Sequence, residues 1–114
     1  MIALPDTYKL LHLETVDSTN EEAKRLGAQG VMQPHWILAD VQSAGRGRRG
    51  RVWQSPKGNL MTTVYLPGRI EIVKAGQLSF VAGLALADMV STLIGSAGAV
   101  SIKWPNDVLV GGAK

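Results

Sequence analysis

The chain has no cysteine, which excludes a disulfide framework, thiol catalysis and a cysteine-built zinc site. Its two histidines, His12 and His35, stand at no metal-ligand spacing and receive no role. Long hydrophobic runs are also missing. No apolar stretch reaches the ~18 residues that a membrane span needs, because the longest weakly polar run, residues 78–93, is interrupted by Ser79, Gly83, Asp88 and Ser91. The sequence therefore predicts no membrane partner. The first residues alternate charged with apolar side chains and offer no hydrophobic core for a secretory signal. Internal repeats and low-complexity tracts are absent as well. These exclusions lead to the expectation of a soluble, cytoplasmic globular protein. At 114 residues it is one domain or part of one.

What charge there is lies in one place. Arg46, Arg48, Arg49 and Arg51 fall within six residues, and removing those four charges from the net +3 leaves −1. The basic character is thus a local device. It points to one anionic ligand more than to a surface that coats nucleic acid.

The hydrophobic pattern predicts a mixed α and β chain. Residues 8–16 alternate as a strand. Asp17-Ser18-Thr19-Asn20-Glu21-Glu22 offers capping boxes from Ser18 to Glu21 and from Thr19 to Glu22, opening a helix that ends near Gly27 and Gly30. Residues 36–42 form a second strand whose run Trp36-Ile37-Leu38-Ala39 suggests burial on both faces. Residues 59–66 form a third, favoured by Thr62, Thr63, Val64 and Tyr65, and Pro67-Gly68 turns the chain. Leu78, Val81, Leu84, Ala85, Met89 and Leu93 give residues 77–94 the spacing of a mostly buried helix. Two short strands, 100–104 and 108–110, follow, with Gly111-Gly112 as a hairpin turn.

Three segments carry chemistry. Gly45-Arg46-Gly47-Arg48-Arg49-Gly50-Arg51 is too rich in glycine and charge for a strand or stable helix and reads as a mobile surface loop. Its guanidinium forks suit phosphate oxygens, and its glycines allow close approach to a ligand. It lacks the Lys-Ser/Thr of a Walker A loop and is no dinucleotide fingerprint. On composition alone an RNA-binding or merely solvated basic loop stays open. Asp17-Ser18-Thr19-Asn20 places free backbone N–H groups and hydroxyls at a helix start, though most such segments are only caps. Lys103-Trp104-Pro105-Asn106-Asp107 sets a cation, a ring, an amide and a carboxylate between two strands, where a plain turn is the bland alternative.

Together the three segments, with Gln42-Ser43-Ala44 before and Val52-Trp53 after the arginine string, resemble the motifs of the biotin protein ligases in their usual order, over about residues 13–114. The resemblance implies an α+β fold: a mixed β-sheet packed with helices, the catalytic fold shared with lipoate ligases and akin to class II synthetases. It implies ATP-dependent activation of biotin to biotinyl-5′-adenylate, then transfer to a lysine of a biotin carboxyl carrier protein domain. Ser18, Thr19, Asn20, Gln42, Gly45, Arg46 and Arg48 would hold biotin. Arg46, Arg48, Arg51, Trp53, Lys103, Asn106, Asp107 and Lys114 would meet ATP, with Asp107 as the Mg²⁺ ligand and Lys114, Arg48 and Arg51 as the catalytic cations. Trp53 would pack beside the loop, with a core tryptophan as the alternative. Lys114, seven residues past Asp107, is otherwise a frayed terminal lysine.

The resemblance further implies that residues 1–114 are the N-terminal portion only of that catalytic domain, incomplete at the C-terminus, with the C-terminal domain absent. No N-terminal DNA-binding domain is expected, and no nucleic-acid partner. A homodimer stays open. The rival readings are a lipoate ligase-like enzyme, a truncated non-catalytic fragment that at most binds biotin or carrier, and an Arg/Gly RNA binder.

Overall fold

The computed structural model describes residues 4–104 and 107–114, and it divides into two compact units, residues 1–68 and 69–114. In the first, β1 (Lys9–Val16), β2 (His35–Gln42) and β3 (Met61–Tyr65) form one mixed sheet in the order β1-β2-β3. β1 runs parallel to β2 and β3 antiparallel to it. Helix α1 (Thr19–Ala28) connects the two parallel strands and packs on β2 and β3. Because β1 and β2 are parallel, with Val16 opposite Gln42, the segments that leave their carboxyl ends emerge at the same edge of the sheet. Those segments are the Ser18 region and the arginine–glycine string.

Central strand β2 carries the core. Ile37 (0% exposed) and Ala39 lie on its buried face, with Leu26 of α1 and Met61 of β3 also buried. Trp36 and Leu38, on the opposite face, are only half-buried. The expected burial of both faces is thus corrected to one: within the first unit α1 packs on β2, and Trp36 and Leu38 alternate with the buried Ile37 and Ala39. Burial of Ile37 stabilises the sheet by roughly 2–3 kcal/mol on transfer grounds.

Helix α1 starts where its cap predicts. Ser18 is extended and its Oγ accepts the Glu21 N–H at 3.1 Å, the first half of a capping box. The reciprocal half is absent: Ser18 N–H donates to Asp17 Oδ1 at 2.8 Å, and the Glu21 carboxylate pairs with Lys24 instead. Gly30, at φ +74°, closes the C-terminal end in the left-handed conformation that suits glycine.

The second unit holds α2 (Ile72–Ile94) with the antiparallel pair β4 (Val100–Lys103) and β5 (Asp107–Val110). α2 starts five residues before the expected Gln77. Residues 72–76 are Ile-Val-Lys-Ala-Gly, and the helix accepts them although its first turn lacks a side-chain cap. The expected buried helix is a correction: none of its residues is buried. Its half-buried positions are Gly83, Ala87, Val90 and Ser91, whereas Leu78, Val81, Leu84, Met89 and Leu93 are exposed. Geometry explains this. A 23-residue helix is about 34 Å long, while four-residue strands span about 13 Å. The two strands cover one short face, and small residues let them approach it.

α2 also corrects the reading of hydrophobic runs. Averaged over 18 residues its hydropathy is 1.6, so by length and composition it is able to cross a membrane; isolated Ser, Gly and Asp residues do not offset the aliphatic majority. Phe80 stacks on Trp104 with ring centroids 4.8 Å apart. The Gly111-Gly112 turn stands as expected: both glycines have positive φ, and Val110 and Ala113 exchange backbone hydrogen bonds of 2.7 and 3.0 Å, as in a two-residue hairpin.

Candidate functional site

The arginine–glycine string is a surface loop, as its composition suggests, folded as a short hairpin-like turn. Trp53 N–H donates to Gly45 O at 2.9 Å, Gly47 N–H to Arg51 O at 2.7 Å, and Arg46 bridges Val52. At the tip, Arg51 N–H reaches Arg48 O, and the two central residues, Arg49 (φ 60°, ψ 31°) and Gly50 (φ 72°), are both left-handed. That is the backbone of a type I′ turn, whose twist matches a two-stranded ribbon. Gly50 supplies one left-handed position at no steric cost; Arg49 holds the other.

Between this hairpin, the start of α1 and the end of β2 lies a cavity of about 560 Å³. Ser18, Asn20, Gln42 and Arg46 line it, as the sequence predicted for a ligand site, together with Gly47 and Gly50. Glu21 and Lys24 form part of its wall, paired with each other at 2.8 Å. Thr19 and Gly45 are buried and support the lining without belonging to it. Arg48 and Arg51 are exposed on the hairpin and stand outside the lining.

A polar web sits under the cavity. Gln42 Oε1 accepts from Thr19 N–H at 2.8 Å and from Thr19 Oγ1 at 3.2 Å. Thr19 Oγ1 also lies 2.7 Å from Thr63 Oγ1, which donates to Asn20 Oδ1 at 2.7 Å. Gln42 Nε2 donates to Ser55 Oγ at 3.0 Å. Ser18, Thr19 and Ser55 are all buried, and no buried side-chain polar atom among the described residues lacks a partner. A buried web so completed specifies one arrangement. The expectation of free N–H groups at the helix start is narrowed accordingly: Thr19, Glu21 and Glu22 N–H already donate to Gln42 Oε1, Ser18 Oγ and Ser18 O. The sequence places the hydroxyls there; Gln42 takes the Thr19 N–H by tertiary contact, and Ser18 takes those of Glu21 and Glu22 locally.

Asp17 braces the same segment from outside. Arg25 grips its carboxylate with two hydrogen bonds, 2.9 and 2.7 Å, and donates Nε–H to Glu22 at 2.7 Å. The Arg25 guanidinium, then the Ser18 N–H, hold the Asp17 carboxyl far below the usual carboxylate range, and Asp17 with Glu22 raises Arg25 further.

Sequence reasoning missed Ser55 and Thr63. Thr63 had a signal: it lies between Met61 and Tyr65 on the inward-facing positions of β3, where a hydroxyl calls for a buried partner. Ser55, in the irregular segment between the hairpin and β3, had none. Trp53 is half-exposed and its ring lies 3.5 Å from the Cβ position at Gly47, so it packs beside the hairpin and is not a core residue.

In the second unit Lys103 and Asp107 are cross-strand partners where the chain passes from β4 to β5, and Lys114 Nζ lies 3.2 Å from Asp107 Oδ1. The terminal lysine is therefore held. Asn106 lies outside the described residues.

The sequence model of the biotin/lipoate A/B protein ligase family matches residues 13–114. The chain belongs to that family. It is 50% identical over 102 residues to a biotin–[acetyl-CoA-carboxylase] ligase of Paracoccus denitrificans, covering 90% of this chain and 42% of the relative. Among solved structures it resembles the biotin protein ligase of Leishmania major in complex with biotinyl-5-AMP (TM-score 0.77, 33% identity, 94% of this chain and 48% of that one). It also resembles the ligase of Aquifex aeolicus in complex with biotin and ATP (TM-score 0.69, 34% identity, 89% and 41%). The chain thus spans less than half the length of these family members.

Proposed function

We propose that this chain supplies the biotin-binding and much of the ATP-binding part of a cytoplasmic biotin–protein ligase. The enzyme activates biotin with ATP to biotinyl-5′-adenylate and pyrophosphate, then transfers the biotinyl group to a lysine of a carrier domain. The observation that carries this reading is the cavity beside Ser18, Asn20, Gln42 and Arg46. Neutral donors and acceptors stand next to a guanidinium there, a combination that suits a ligand with an uncharged cyclic urea at one end and a carboxylate at the other. Such polar groups satisfy a buried urea that an apolar pocket would leave unpaired. The named complexes of the L. major and A. aeolicus relatives support the same ligands. The family match spans α2, which supports packing within a ligase fold over insertion in a bilayer.

In this reading Thr19 and Gly45 shape the pocket from below, and Arg46, Arg48 and Arg51 neutralise the carboxylate and the phosphates it attacks. Two anions must meet for the first bond to form, so fixed cations at that point stabilise the developing charge more than water does. The carboxylate oxygen attacks the α-phosphorus and pyrophosphate leaves. Biotin is already an anion at neutral pH, and the step needs no general base. The adenylate is a mixed anhydride that water hydrolyses; a hairpin that closes over it protects it. The carrier lysine then attacks the acyl carbon and AMP leaves. Trp53 flanks the hairpin, while Lys103, Asn106, Asp107 and Lys114 serve the nucleotide.

Asp107 is a hard oxygen ligand of the kind suited to Mg²⁺, which takes one or two carboxylates and relies on phosphate oxygens for the rest; the ion would neutralise phosphate charge. Asp107 would hold the ion, with Lys114, 3.2 Å from its Oδ1, beside it.

The test is isotope exchange between pyrophosphate and ATP by the protein, with biotin, with lipoate and with neither acid. Exchange that depends on biotin alone is expected. Dependence on lipoate would replace the substrate, and biotin binding by calorimetry without exchange would reduce the chain to a binding module.

A further inference from the structure

We infer that Ser55 is a positioning residue for the ligand site, acting through the Gln42 side chain; this rests on the reading above that Gln42 meets the biotin head group. The backbone N–H of Thr19 can only donate, so the Gln42 atom 2.8 Å away is the oxygen and its amino end points the other way. That end meets Ser55 Oγ at 3.0 Å. Ser55 Oγ donates its own hydrogen to Trp53 O at 3.4 Å, which leaves its lone pairs to accept from Gln42. The contact is doubled on the main chain, where Gln42 N–H reaches Ser55 O at 3.3 Å.

The amide is thus clamped at both ends, by Thr19 on the oxygen and Ser55 on the nitrogen. One Nε2 hydrogen goes to Ser55, and the other has no partner among the described residues and is left for the cavity that Gln42 lines. Ser55 is also 5% exposed, so water does not substitute for its hydroxyl. Gly45 shows how closely the clamp is built: a Cβ there would lie 2.6 Å from Ser55 Oγ, 2.8 Å from Trp53 O and 3.1 Å from Gln42 Nε2. Since Gly45 and Trp53 are also the base of the arginine hairpin, Ser55 ties the hairpin's root to the orientation of the pocket amide. Its hydroxyl touches no reacting atom in this arrangement, and its effect on the head group passes through Gln42.

The experiment compares the protein with Ser55→Ala, Gln42→Ala and the double variant, by calorimetry with biotin and with ATP and by NMR of the Gln42 side-chain amide. Ser55→Ala is expected to weaken biotin binding about 3- to 10-fold, the range of one hydrogen bond, to leave ATP binding unchanged, and to shift the Gln42 amide signals with faster solvent exchange. In the Gln42→Ala background it should add nothing, which a general structural role would not produce. Ser55→Cys keeps the small side chain but offers a weak acceptor, and the same response is expected, so misfolding of the alanine variant does not close the question. Unchanged Gln42 signals, or additive losses in the double variant, overturn the inference. A wild-type protein that ignores biotin while its Gln42 amide still responds to Ser55→Ala overturns the ligand reading and leaves the clamp standing.

Discussion

In the first unit Leu26, Ile37, Ala39 and Met61 are buried beside the hydroxyls of Ser18, Thr19 and Ser55, whereas in the second no described residue is buried. The first unit is closed by a sheet with a helix on it and by polar groups that answer one another across 13 to 44 positions of sequence. The second rests on one small-residue face of a long helix against two four-residue strands. The difference separates two ways of using apolar residues. In the first they exclude water from hydrogen bonds that fix a site; in the second they remain a surface.

The comparison breaks most sharply at Ile37. Ile37→Ala removes the fully buried side chain of β2 and is expected to cost about 2–5 kcal/mol, read from the urea midpoint. The matching Leu84→Ala in α2, an exposed leucine, should stay within about 0.5 kcal/mol. Equal losses would mean that the second unit buries more than its exposure indicates. Gly45→Ala comes next. Its new methyl meets buried atoms at 2.6 and 2.8 Å, so a loss of about 1–3 kcal/mol is expected, together with weaker biotin binding; a neutral result would show that the hairpin root yields.

Arg49→Gly should act in the opposite sense. It relieves a left-handed arginine at the hairpin tip and should stabilise the hairpin by at most about 1 kcal/mol, after the larger backbone entropy of glycine is set against it. Amide exchange across residues 45–53 would report it.

The smallest effect is expected of Asp17→Asn, because the carboxylate and its Arg25 partner are each about two-fifths exposed and such pairs are screened. The sign is fixed. The folded carboxyl titrates below its unfolded value, so the pair's contribution is complete above the unfolded pKa of about 4 and is lost as pH falls through the more acidic folded value. Melting temperatures of wild type and variant should therefore differ at pH 7 and converge in strong acid. A difference that persists there would remove the ion pair as its cause.

Much of the first unit was legible in sequence because its signals are local. Alternation marked β1, an apolar run marked β2, and Ser18 with Glu21 marked the start of α1; in the second unit Gly111-Gly112 marked the last turn. Of the three motifs read in the sequence, two meet at one cavity through Ser18, Asn20, Gln42 and Arg46. What stayed hidden depends on distant pairing. That Gln42 would consume the Thr19 N–H, or that Ser55 would hold the other end of the amide, follows from tertiary contacts and not from residue types. The same limit applied to α2. Helical spacing marked the helix correctly, but which of its faces is covered depends on the size of the sheet beneath it. The turn inside the arginine–glycine string stayed hidden for another reason: glycine and arginine content argues against strands, as found, but does not say which two positions are left-handed.

The parallel pairing of β1 and β2 also decides where this protein tolerates changes in length. Residues 30–34, which join α1 to β2, lie at the edge of the sheet away from the cavity, and an extra residue there costs little. An extra residue inside β1 or β2 would shift Val16 past Gln42 and send alternate side chains to the wrong side. Insertions in homologous ligases should accordingly collect at the remote connection and avoid the strands.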